Sequence, residues 1–411
     1  MTPRGPIQVI FTVDTFTRAT LGGGLLRHMN YAPEMQRRGV NFQWLTMESD
    51  VDTAFQEHHA IQVRVVPMPQ NEPLQKRREH LLAAAIREAA THPRGTRVVT
   101  TDSCGVTRGT IRLLRDARRQ AIPATHNTSM VPGPLPTTWL ANLRLKLQCR
   151  AFFGAHALVI PQTRAIERFF RDYVGLTTSK LEVIGNGVDS AKFAPTTAEI
   201  KSAARQRLGI PTDAPVVLSV GSLVPRKGMD LLIKAWPEVL RRFPTARLVI
   251  AGSVGRRSTF MDQAATLDTY TSETLSLIDA LPNPKSVMLS GREVEDVRDY
   301  YHAADTFAFA SEREGLPNVV LEAMACGLPC LLAPYDGFPR DGEEFGTADS
   351  HFVKAERTVP SLASGITHLL ADSALRSQLG PAARQWMLDT QDLSPMLDRW
   401  AAMYHRCAQT P

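Results

Sequence analysis

The chain has 411 residues, more than one hydrophobic core ordinarily serves, so its length predicts two domains of about 150 to 200 residues. With 43% hydrophobic and 21% charged residues it excludes a disordered or fibrous protein. The formal net charge of +6 is unevenly spread: residues 1–190 hold 24 Lys and Arg against 15 Asp and Glu, and the remainder 23 against 26, so the first half is expected to meet something anionic. The apolar runs are strand-length and none approaches the roughly 18 residues of a membrane span. The start, MTPRGPIQVIFTVD, lacks the apolar segment and cleavage site of a signal peptide, which predicts a cytoplasmic protein. Five scattered cysteines (Cys104, Cys149, Cys326, Cys330 and Cys407) argue for reduced thiols, not a disulfide framework or a zinc site.

In chain order, IQVIFTV reads as a strand, followed by Gly22-Gly23-Gly24 opening a helix that runs toward Arg38-Gly39. The runs FQWLTM, IQVRVV, TRVVTTD, IPATH, ALVI and LEVI continue the alternation of short apolar strands with helical stretches, the pattern of a helix-wound parallel sheet. Asp50-Val51-Asp52 reads as a polar turn after FQWLTM, and His126 closes the strand IPATH. The pattern pauses after Asn186-Gly187-Val188-Asp189 across 191–214, a predicted linker. It restarts with VVLSV, a helix at 229–242, RLVIAG, a helix near 270–280, SVMLSG, a helix at 294–303, TFAFAS, a helix at 317–326 and PCLLAP. Near the end, Met396, Trp400, Met403 and Tyr404 share one face of a closing helix. The predicted fold is therefore α/β with two doubly wound domains, 1–190 and 215–390, and a C-terminal helix at 394–407 crossing back to the first.

The segment 311–330, SEREGLPNVVLEAMACGLPC, carries the most chemistry. Pro317 suits a helix's first turn. Val319, Val320, Ala323 and Met324 then make a buried face with Glu322 at its flank, where a carboxylate needs a partner. Glu314 lies in the loop before the helix, and the free N–H groups of the helix start favour an anion. A nucleotide sugar offers hydroxyls for the carboxylates and a diphosphate for those N–H groups. In VGSLVPRKGMDLL, Arg226 and Lys227 sit in a loop at the C-terminal end of a strand, where open α/β sheets bind ligands.

These segments resemble the retaining GT-B glycosyltransferases of family 4, whose mark is two glutamates with seven residues between them followed by a small-residue helix end, as in EGLPNVVLEAMACG. The resemblance spans roughly 7–410 and is strongest over 181–333. It implies two Rossmann-like domains facing a central cleft, the first for the acceptor and the second for the donor. It further implies that Glu314 holds donor-sugar hydroxyls and Glu322 the ribose, with Gly315, Leu316, Asn318 and Val319 near the sugar and diphosphate. Lys227 would neutralise the diphosphate. The family usually has an arginine where this chain has Ser222, and Arg226 is the nearest substitute. Gly22 and Gly23 match a Gly-rich loop facing the donor phosphates, and His126 a histidine close to the reacting sugar. Gly252 and Arg292 would approach the nucleoside.

The function so implied is transfer of a sugar from a nucleotide-sugar, UDP preferred over GDP, to a glycan, lipid-linked or small-molecule acceptor. Anomeric configuration would be retained, and neither a metal nor a cofactor used. The basic first half predicts peripheral contact with an anionic membrane on its inner face, Trp139, Leu143, Leu147, Phe152 and Phe153 adding apolar anchorage; nucleic acid is not an expected partner. The rival readings are a nucleotide-sugar epimerase on the same scaffold and a non-catalytic sugar-nucleotide binding subunit. The Gly-rich segment is not the dinucleotide pattern, which argues against a dehydrogenase.

Overall fold

The computed structural model describes residues 5–17, 23–69, 71–101, 106–128, 136–254, 264–291 and 296–409. They divide into two compact units, Met1–Asn186 with Ser394–Pro411, and Gly187–Leu393.

The first unit holds strands β1 (Ile7–Phe16), β2 (Val40–Ser49), β3 (Gln62–Val65), β4 (Arg97–Thr101), β5 (Ala124–Thr128) and β6 (Leu158–Pro161). All pair in parallel, in the order β3-β2-β1-β4-β5-β6. The helices between them are α1 (Gly23–Arg37), α2 (Thr53–His58), α3 (Leu74–Thr91), α4 (Arg108–Arg119) and α5 (Trp139–Ala155), with α6 (Arg164–Arg168) following β6. Central strands such as β4, RVVTT, are buried on both faces, which is why they read as continuous β-branched runs. Asp52, half of the aspartate pair, is the N-cap of α2 and accepts from Phe55 N at 2.8 Å.

The second unit repeats the plan. Helix α7 (Ala198–Leu208) leads into β7 (Val216–Val220), α8 (Met229–Arg242), β8 (Arg247–Ala251), α9 (Ala264–Asp279), β9 (Val287–Leu289), α10 (Arg298–Ala303), β10 (Thr306–Phe309), α11 (Asn318–Ala325), β11 (Cys330–Leu332) and β12 (Val353–Lys354). Helices α12 (Val359–Ala371) and α13 (Ser373–Thr390) complete it. The parallel sheet runs β12-β11-β10-β7-β8-β9, the order of the first sheet read from its other end. Each sheet thus reverses direction once, between β1 and β4 and between β7 and β10, and such switch points are where doubly wound sheets bind ligands.

The segment 191–214 is not a loose linker. Thr197 caps α7, and the buried Arg205 donates to Ala303 O at 3.0 Å and Asp305 at 2.8 Å, binding the segment into the second unit. Pro195 and Pro211 lie on either side of the helix. The closing helix, α14 (Leu393–Gln409), belongs to the first unit. There Met396, Trp400, Met403 and Tyr404 are buried, and the Trp400 indole donates to Gly185 O at 3.2 Å. Among the described residues no helix is long and apolar enough to cross a membrane.

Candidate active site

The C-terminal edge of the second sheet is built on close backbone approaches. After β7 the chain passes through 221–228 with a short turn at Pro225–Lys227. Gly228 takes φ +66°, and a Cβ there would lie 2.2 Å from Ala310 O, so only glycine lets the loop lie against the exit of β10. Gly252, after β8, is pressed in the same way: its Cβ would meet Gly221 O at 2.1 Å. The two exit loops are then laced together, with Glu312 N and Ser311 Oγ donating to Arg226 O at 2.7 and 2.9 Å.

This lacing brings distant charges to one point. Glu314 Oε1 accepts from Lys227 Nζ at 2.6 Å, Ser311 Oγ at 2.8 Å and Arg226 Nη1 at 3.2 Å. The side chains of Lys227, Arg226 and Glu314 are 15%, 27% and 12% exposed, so the group is partly desolvated yet reachable. Two cations on one carboxylate leave a net positive charge at the switch point.

Gly315 and Leu316 are buried, and Tyr335 donates its hydroxyl to Gly315 O at 3.3 Å. The stretch after β11, which no sequence pattern explained, thus backs the glutamate loop. Asp336 N donates to Glu312 O at 2.9 Å, and the Asp336 carboxylate pairs with Arg313 at 3.3 Å. Asn318 and Val319, both half-buried, open α11, with Pro317 at its cap position. Val319 is therefore less enclosed than its place on the predicted core face implied. Glu322 lies one turn on, where Tyr301 donates to its Oε2 at 2.7 Å. Burial pushes the Glu322 carboxyl above the usual carboxylate range, and the Tyr301 hydroxyl opposes that rise. Ser222 Oγ accepts from Ser253 Oγ at 3.1 Å, and Gly252 N donates to Ser290 Oγ at 2.8 Å, so a hydroxyl network occupies the place where an arginine is usual. Cys326 and Cys330 are buried thiols, and burial pushes Cys326 up to about 12.

In the first unit Gly23 is the first residue of α1; Gly22 and Arg292 lie outside the described residues. His126 requires a correction. The sequence placed it at the end of a strand, but β5 runs on to Thr128 and the residue is buried, its ring packed against Phe152, Phe153 and His156. Its Nδ1 and His156 Nε2 share the Thr101 hydroxyl at 2.9 and 2.8 Å. Burial lowers its pKa to about 4, the Thr101 bond opposing. The unfolded chain therefore binds a proton near pH 6.5 that the folded chain refuses. Stability from this group is whole above pH 6.5 and falls as the pH drops toward 4. At pH 5 we expect His126→Asn to remove about 2 kcal/mol of that acid sensitivity, read as the difference in urea-unfolding free energy between pH 7.5 and pH 5. An unchanged pH slope would contradict the burial.

Three contributors carried no sequence signal. Ser311, Tyr301 and Tyr335 act on the glutamates through folding alone. A buried polar group in the first unit likewise had no sequence signal: there Arg27 donates to Asn186, and Asn127 meets His28 at 3.4 Å.

A partly enclosed cluster of two cations and a carboxylate thus lies at the switch point of a doubly wound sheet, the place where such sheets bind ligands. The family model for glycosyl transferases group 1 matches residues 200–386. A D-inositol 3-phosphate glycosyltransferase of Kineococcus radiotolerans is 34% identical over 235 residues, covering 55% of this chain and 52% of its own. A GDP-mannose-dependent monoacylated alpha-(1-6)-phosphatidylinositol monomannoside mannosyltransferase of Corynebacterium glutamicum is 36% identical over 210 residues, covering 49% and 50%. The chain thus spans about half the length of these curated relatives. Among solved structures, a glycosyltransferase of Rickettsia africae superposes with a TM-score of 0.76 at 15% identity, covering 99% of this chain and 100% of its own. Anabaena HepE in complex with UDP gives 0.71 at 19%, covering 97% and 99%. These likenesses establish the GT-B fold of two Rossmann-like units.

Proposed function

We propose that the protein is a retaining hexosyltransferase that moves a sugar from a nucleoside diphosphate sugar to a glycan, lipid-linked or small-molecule acceptor without a metal or cofactor. The observation that carries this reading is the convergence of Lys227 and Arg226 on Glu314 at the switch point of the second sheet. The sugar's anomeric carbon–oxygen bond to the diphosphate breaks, and the acceptor oxygen bonds to that carbon on the same face. The acceptor's proton passes to the leaving phosphate oxygen. Charge growing on the diphosphate is met by Lys227 and Arg226, held in place beforehand by Ser311 and the laced loops. Glu314 accepts donor-sugar hydroxyls. Glu322, steadied by Tyr301 on one carboxylate oxygen, takes the ribose.

The sequence favours UDP, whereas the corynebacterial relative is by name GDP-mannose-dependent, so the decisive assay carries both. Incubation with UDP-, GDP- and ADP-sugars, read by mass spectrometry, is expected to release nucleoside diphosphate from a UDP- or GDP-sugar, undiminished by EDTA. The two cations supply the charge a metal otherwise would. Loss of turnover in EDTA, restored by Mn²⁺ or Mg²⁺, would contradict metal independence. Interconversion of donor sugars without release would identify an epimerase, and binding without either reaction a non-catalytic subunit.

A further inference from the structure

Helix α5 presents an apolar stripe to solvent. Trp139 is 73% exposed, Leu140 71%, Leu147 58% and Leu143 39%. At 3.6 residues per turn these four fall within an arc of about 100°. Lys146 borders the arc on one side and Arg144 on the other, Arg150 falls within it in the turn after Leu147, and the helix carries no Asp or Glu. Phe152 and Phe153, expected to share in the anchorage, are buried in the core of the unit instead. The neighbouring α4, packed beside α5, adds Arg108, Arg112, Arg115, Arg118 and Arg119 on its solvent side. Its one acid, Asp116, is already paired with Arg119 at 2.7 Å.

We infer that the α4–α5 face is a docking surface for an anionic lipid bilayer. Trp139, Leu140, Leu143 and Leu147 would enter the headgroup–acyl boundary while the flanking cations meet lipid phosphates. A helix with an apolar stripe, a tryptophan at its end and cations on both borders suits the plane of such an interface. The charge of the face is complementary to acidic headgroups. A nucleic-acid backbone would match the cations and leave the apolar stripe in water, so the bilayer is the better partner.

The test is co-sedimentation of the full chain with vesicles of phosphatidylcholine alone or of equimolar phosphatidylcholine and phosphatidylglycerol. Binding is expected to the anionic vesicles only, weakening as salt rises. Leu143→Glu with Leu147→Glu, and separately Arg144→Glu with Arg150→Glu, should each reduce it at least about tenfold with unchanged circular dichroism, since all four positions are exposed. Equal binding to neutral vesicles, or full binding by either double variant, overturns the inference. So does tight binding to duplex DNA or RNA that the leucine variant leaves intact, which would make the face a nucleic-acid surface.

Discussion

Lys227→Ala is expected to lower kcat/KM for the donor by roughly ten-fold to a few hundred-fold with circular dichroism unchanged. A charge-assisted contact in a partly desolvated site contributes about 1.5 to 3 kcal/mol, and each decade in rate corresponds to about 1.36 kcal/mol. Arg226→Ala should cost a comparable amount, because its guanidinium reaches the same carboxylate oxygen as Lys227 and does not stand free in water. The hydroxyl pair of Ser222 and Ser253 stands at the position where an arginine is usual. Ser222→Arg in the Arg226→Ala background should therefore return part of the lost activity. A silent Arg226→Ala beside a damaging Lys227→Ala would confine the clamp to the lysine. If both are silent, the diphosphate is held elsewhere.

Glu314→Ala should be more damaging, at least about a hundred-fold in kcat, comparable to removing a polar group aimed at the reacting centre. Its two consequences should separate. The donor sugar loses its hydroxyl acceptor, so turnover falls, while Lys227 and Arg226 are released from a competing carboxylate. Product inhibition by the nucleoside diphosphate should then be as strong as in the unaltered protein, or stronger. Parallel loss of turnover and of product inhibition would instead mean that Glu314 only holds the two loops together, a structural part it shares with Ser311.

The sequence made local features legible and left long-range ones unread. The amphipathic period of 229–242 coincides with α8 because one face packs on its own sheet. The run after Glu314 read as a helix because its residues are almost uniformly apolar. Lys227 and Glu314, each picked out separately, are 87 residues apart, and nothing in the spacing says that their loops touch. That contact follows from β10 lying beside β7, and from a glycine at 228 small enough to admit it. Tyr301 could not be seen as the partner of Glu322, since a tyrosine in a short helix reads as core. Periodicity also misplaced His126: it sees the end of an apolar run, whereas the ladder with β6 carries β5 on through Asn127 and Thr128. The pause of the strand–helix pattern across 191–214 read as a linker, but the ion pair of the buried Arg205 with Asp305 ties the segment into the second unit.

The most direct test of a nucleotide-sugar site at the β7–β10 edge is hydrogen exchange of the backbone amides with and without a turned-over UDP- or GDP-sugar. Slowed exchange is expected over 221–228 and 311–318, the two laced exit loops and the start of α11. A separate cavity of about 460 Å³, lined by Lys201, Arg205, Asp305 and Arg376 at the opposite pole of the same sheet, should be unaffected. Protection confined to that cavity, with the loops around Lys227 and Glu314 exchanging as before, would contradict the account.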